Sequence, residues 1–108
     1  MGTITTGDDV ALPVQLKKNN ASFVINAGAT IKAAVINSDG TRVLSEVVTL
    51  NNLATGADLA NSLVVAEFTS AQTAAIKEYG SAILEIQVDD SGKLTWTTAI
   101  TVVKGNIS

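Results

Sequence analysis

The chain has 108 residues, enough for one domain around one core, and its 46% hydrophobic and 16% charged residues exclude a disordered polymer. A net charge of −3 excludes the basic footprint that nucleic-acid binding needs. With no histidine and no cysteine, the chain lacks the usual neutral-pH general base, the commonest transition-metal ligand, any disulfide and any thiolate.

Residues 1–9, MGTITTGDD, are polar, rich in Gly and Thr, and without period. Only Met1 and Ile4 are apolar there, so this stretch reads as a flexible arm with no anchor in its own core, ordered only against a neighbour. Residues 10–17 hold the only proline, Pro13, which cannot donate to a ladder and marks an edge or opening strand. Residues 21–26 read as the next strand, with Phe23 and Ile25 on one side. Residues 30–37 and 41–50 flank the turn Ser38-Asp39-Gly40, with Gly40 at positive φ. Ile31, Ala33 and Val35 face inward and Lys32 outward, while Val43, Leu44, Val47 and Val48 fit either parity of the returning strand. Residues 51–61, NNLATGADLAN, form the longest loop. Residues 62–68 are a strand with Val64, Ala66 and Phe68 inward and Glu67 outward. Thr69-Ser70-Ala71-Gln72 is a capping box, which predicts a helix over 69–79 with Gly80 as its stop.

The strongest pattern is residues 81–103, SAILEIQVDDSGKLTWTTAITVV, which predicts one antiparallel hairpin. A two-residue loop at Ser91-Gly92 pairs Val88 with Thr95 and sets an apolar face against a polar one. A three-residue loop, Asp90-Ser91-Gly92, pairs Val88 with Leu94, Ile86 with Trp96, Leu84 with Thr98 and Ala82 with Ile100. That register keeps the apolar faces together, sets Asp89 opposite Lys93, and puts Gly92 in the left-handed position.

These elements predict an all-β fold: a single immunoglobulin-like antiparallel β-sandwich of about seven strands with one short helix, a jelly roll being the alternative. The arm spans residues 1–9, the sandwich 10–104 and a short tail 105–108. No apolar run approaches the roughly 18 residues of a membrane span, and no basic-then-apolar leader opens the chain.

Candidates for chemistry are sparse. Asp89-Asp90-Ser91-Gly92 has a flavour of a calcium loop but lacks the further oxygen ligands and the Glu at the twelfth position, and turn chemistry explains it. Asp8-Asp9 reads as solvated, and Glu67 and Glu85 as exposed neighbours on an outer face. Lys17, Lys18, Lys32, Lys77, Lys93 and Lys104 could serve a serine nucleophile, but nothing places one beside a particular serine. Trp96 shares its parity with Leu94 and Ile100 and reads as core. Asn20-Ala21-Ser22 and Asn106-Ile107-Ser108 match the glycosylation pattern. The reading assigns no catalytic, cofactor or metal residue.

The order of parts carries a resemblance. A polar start leads through strands and the turn Asn37-Ser38-Asp39-Gly40 to a strand ending Glu67-Phe68-Thr69. A Thr-capped helix then runs into Tyr79-Gly80-Ser81-Ala82 and the closing strand pair on either side of Asp90-Ser91-Gly92. This layout resembles the small immunoglobulin-like β-sandwich of tailed-phage virion proteins, such as the N-terminal domain of lactococcal phage upper baseplate proteins. The resemblance implies a non-enzymatic structural protein located in the virion, without cofactor. It would serve as a capsid decoration or cement protein, or as a tail, baseplate or fibre adaptor. Its partners would be other virion proteins, in a homo-oligomer or multivalent array, with no nucleic acid and no membrane. The mean hydropathy of +0.33 agrees with a surface partly covered by neighbours. The alternative is an immunoglobulin-like binding module of a bacterial surface protein.

Overall fold

Alternating side chains decide the architecture, and the pairing expected of residues 81–103 is realised, although Leu94 on the inward parity is exposed. The structure is a computed structural model that describes residues 2–17, 24–26, 28–37, 39–44, 47–50, 58–90 and 92–105. Its strands are β1 (Gly2–Thr5), β2 (Val10–Gln15), β3 (Thr30–Ile36), β4 (Val48–Leu50), β5 (Leu63–Phe68), β6 (Gly80–Asp89) and β7 (Lys93–Val103). One short helix, α1 (Ser70–Ala74), and a 3₁₀ turn at Leu59–Asn61 complete the described elements of this all-β fold.

Strands β6 and β7 pair antiparallel, with Val88 opposite Leu94, Ile86 opposite Trp96, Leu84 opposite Thr98, Ala82 opposite Ile100 and Asp89 opposite Lys93. This is the register of the three-residue loop. Ser91 lies outside the described residues; Gly92, expected in the left-handed position, is not among the glycines at positive φ, and its carbonyl accepts from the Asp90 N–H at 3.0 Å. On β6, Ala82, Leu84, Ile86 and Val88 are buried while Ile83, Glu85 and Gln87 are half-buried on the other face. Strand β3 pairs antiparallel with the other side of β6, burying Ile31, Ala33 and Val35 and exposing Lys32.

The larger sheet has the order β1-β7-β6-β3-β4, and β2 and β5 form a separate pair. Leu12 of β2 and Val64, Ala66 and Phe68 of β5 share one apolar cluster with the inward residues of β3, β6 and β7. The two sheets therefore share a core. Pro13 stands opposite Val65 on β2, whose only strand partner among the described residues is β5. The Leu16 N–H bonds to the Ser62 carbonyl at 2.9 Å. Bonded pairs alternate along an antiparallel ladder, so Pro13 falls between them and its nitrogen faces the open edge. Proline costs the ladder nothing there.

Several expectations change. Residues 2–5 are no loose arm: β1 runs parallel to β7, with Gly2 opposite Ile100 and Thr5 opposite Val103. Ile4, read as too little to anchor, is fully buried in the core. One well-placed side chain plus a ladder suffices where polarity alone argued otherwise. Gly7, at φ +89°, then turns the chain from the larger sheet into β2. Residues 24–26 form no strand; Ile25 is nonetheless buried, and its N–H bonds to the Leu59 carbonyl at 2.8 Å. Phe23 lies outside the described residues. The return from the Asp39 turn is a bridge at Arg42, buried Val43 and Leu44, and then the short β4, because consecutive buried residues break period two. Residues 51–57 of the expected loop lie outside the described residues, and 58–61 close a tight turn.

The helix is shorter than 69–79. Its capping box is present: the Thr69 side chain accepts from the Gln72 N–H at 3.2 Å, and the Gln72 side chain accepts from the Thr69 N–H at 2.8 Å. It ends at Ala74 because Ile76 is drawn into the core, and i→i+3 bonds from Ala75 and Ile76 tighten the exit. Gly80, at φ +106°, opens β6 instead of closing the helix.

The burial of Ile4 generates a test. Ile4→Ala should destabilise the fold by about 2–5 kcal/mol, the range for emptying a buried Ile site. Urea unfolding followed by circular dichroism reads this; an unchanged midpoint would restore the loose arm.

Candidate functional site

The residues considered for chemistry do not converge. Asp90 of the β6–β7 turn accepts a hydrogen bond from Asn26 Nδ2 at 2.7 Å, so its carboxylate holds the hairpin tip to the segment before β3. Among the described residues, no three of His, Cys, Asp and Glu gather to hold a metal. Glu67 and Glu85 belong to different sheets and point away from the shared core, so they lie on opposite outer faces. Their expected proximity fails because β5 does not pair with β6. Lys17, Lys32, Lys77, Lys93 and Lys104 are all exposed. Lys18 and both glycosylation patterns lie outside the described residues.

Asp8-Asp9 is not simply solvated. Asp9 Oδ1 accepts from the Ser70 N–H at 2.7 Å, at the start of α1. Thr73, fully buried, accepts from the Gly7 N–H at 3.0 Å and donates to the Asp8 carbonyl at 2.8 Å. The helix thereby clasps the turn that carries the chain from β1 to β2. Sequence reasoning missed Thr73: a threonine inside a short helix looks neutral until its distant partner is known. Ser62 was missed too. It is fully buried, sits at φ +57°, and its hydroxyl bonds the Leu16 carbonyl. Left-handed backbone is costly for a residue with a Cβ, and the hydroxyl bond to the end of β2 helps hold it there. The buried hydroxyls Ser62 and Thr73 thus serve backbone groups, not a reacting atom.

At the Asp39 turn, Asn37 Oδ1 accepts from the N–H groups of Asp39 and Thr41 at 3.2 and 3.0 Å. Gly40 has φ +91°, as the turn requires. The Thr41 side chain, followed by the Thr41 backbone N–H, bonds the Asp39 carboxylate and holds its pKa below the usual 3.8.

One feature with room for a ligand lies between the sheets. A cavity of about 620 Å³ opens between β2 and the outer edge of β7. Leu12, Val14 and Leu16 line one side, Trp96 and Thr98 the other, with Leu84 and Ile86 at its base. Trp96, expected as core, is half-buried: it packs on the core and closes one end of the cavity by donating from Nε1 to the Lys17 carbonyl at 2.8 Å. No charged side chain lines this cavity. Its lining is mixed, with Thr3, Gln15, Thr97 and Thr98 beside the apolar side chains, and carries no acid–base pair.

Compared with family models, curated proteins and solved structures, the chain matches none.

Two substitutions test this picture. Thr73→Val keeps the shape but leaves the Gly7 N–H unpaired, and should cost about 1–3 kcal/mol in urea unfolding; a neutral result would remove the clasp. For Asp39, the folded pKa lies below the unfolded one. Its contribution is therefore present above the unfolded value and lost as pH falls through the folded value. Asp39→Asn should flatten the fall in melting temperature below about pH 4 relative to the parent. Parallel acid limbs would contradict the turn's role.

Proposed function

We propose that this protein is a non-enzymatic structural component of a bacteriophage particle, an immunoglobulin-like β-sandwich that docks as a capsid decoration protein or as a tail, baseplate or fibre adaptor. The strand order supports the fold part of this reading. In the immunoglobulin arrangement the second and fifth strand positions pair in one sheet, and the third, sixth and seventh lie adjacent in the other. Here β2 pairs with β5, and β3, β6 and β7 are neighbours; β1 beside β7 and β4 beside β3 depart from the seven-strand arrangement by joining the larger sheet. The order of parts along the chain, which resembles the phage virion domains, supports the setting.

The observation that carries the docking role is the outward face of the larger sheet. Ile36, Ile83 and Ala99 stand opposite one another across β3, β6 and β7, a row of apolar side chains on the side away from the core. The next row is Ala34, Glu85 and Thr97. Lys32, Glu85 and Arg42 lie beside this apolar row, and an apolar row flanked by charge is suited to being covered by another protein. Many weak contacts of this kind, repeated on a symmetric shell or tail, add up through multivalency. Virion subunits would be the partners, in an array of copies.

The test is fractionation of a lysate from the phage that encodes the chain. The protein should band with intact particles in a density gradient and appear at fixed stoichiometry in their mass spectrum. Recovery with the host cell envelope instead would replace this reading with that of a bacterial surface module.

A further inference from the structure

We propose that the outer edge of β7 around Thr95 and Thr97, with the cavity beside it, receives an extended segment of another protein: an uncharged strand with an apolar side chain at every second position. The inference adds a second surface to the outward sheet face proposed above, with one kind of partner, and does not depend on the viral setting.

The backbone makes the first argument. The Thr6 N–H bonds to the Val103 carbonyl at 2.9 Å, which places the backbone groups of odd-numbered β7 residues on the side of β1. β1 covers only the stretch from Ile100 to Val103. Along the rest of β7, the N–H and C=O groups of Thr95 and Thr97 point sideways with no strand beside them among the described residues. Groups at strand spacing are satisfied together by another strand.

The second argument is the cavity. Thr97 is one of its lining residues, so a strand laid on this edge turns every second side chain into it. The absence of lining charge argues against charged side chains at those positions, and the half-buried Val14 and Trp96 on its two walls favour apolar ones. β1 already displays this mode on the same edge: it is an extended Gly-Thr-Ile-Thr segment whose Ile4 fills the core.

A second copy fits poorly. Its own β7 edge could supply backbone bonds, but its inward side chains, Trp96 and Thr98, are already committed to its own interior. The facing edge of β2 is the weaker competitor for the segment, because Pro13 removes the N–H at its middle.

The probe is an acetylated, amidated peptide, Thr-Ile-Thr-Val-Thr-Ile-Thr followed by two lysines for solubility, titrated into the whole chain. Trp96, the only tryptophan, lines the cavity and reports binding by its emission. A saturable emission shift is expected, with amide exchange at Thr95 and Thr97 slowed tenfold or more. The peptide with Ile and Val replaced by Glu should bind at least tenfold more weakly, and so should one N-methylated at alternate residues. Thr97→Pro, which removes an edge N–H, should abolish binding. If that variant does not fold, the N-methylated peptide makes the same comparison on the unaltered protein.

Absence of a saturable shift overturns the proposal, as does binding indifferent to N-methylation. Thr95 and Thr97 amides already protected in a peptide-free dimer would assign the edge to a second copy and overturn it too. A protein that binds the peptide yet is missing from particles would remove the viral reading and leave this site standing.

Discussion

A sheet of five strands laid over a sheet of two cannot be covered evenly, and most of the molecule follows from that mismatch. At the centre Leu84 and Ile86 of β6 are buried, although the cavity reaches down to them. Coverage fails at the start of β7, where Leu94, of the same parity, is 42% exposed. The narrow sheet brings only the inward side chains of β2 and β5. The remainder of the lid comes from segments that are not strands at all: Ile25, Leu44 and Ile76 are each buried in the same cluster. Irregular backbone can close a core when its polar groups find partners, as the Ile25 and Leu44 N–H groups do.

What was legible in the sequence was what repeats locally. Period two along residues 81–103 determined the hairpin register because a slip of one residue would have turned every apolar side chain of one strand outward. The capping box at Thr69 was readable because both of its bonds close within four residues. Segments with one decisive side chain were not readable. Ile4 in a polar stretch, Ile25 in a segment without strand structure, and Ile76 at a broken helix end each carry too little pattern to separate a buried residue from an exposed one. Their places are decided by the gap they fill.

The candidate site was hidden for a related reason. The Trp96 indole meets a carbonyl 79 residues away, and Thr73 meets Gly7 across 66. No spacing rule reaches so far, and threonine and tryptophan advertise no chemistry on their own. The residues that did advertise it, the acidic pairs, serve turns and a helix start. Acidic side chains are frequent where backbone N–H groups are left over, so their presence in turns is weak ground for catalysis.

Pro13 has a consequence beyond its own strand. The two sheets part along a seam, with β2 on one side and, on the other, the stretch of β7 that no strand flanks among the described residues. If both margins could donate and accept, a single inserted strand could bond to each and stitch the sheets into a closed barrel. With no N–H at the middle of the β2 margin, that stitching is interrupted at its centre. Whatever lies in the seam meets an interrupted ladder on the β2 side, and is held, like a page sewn to one cover, chiefly by the sheet of β7.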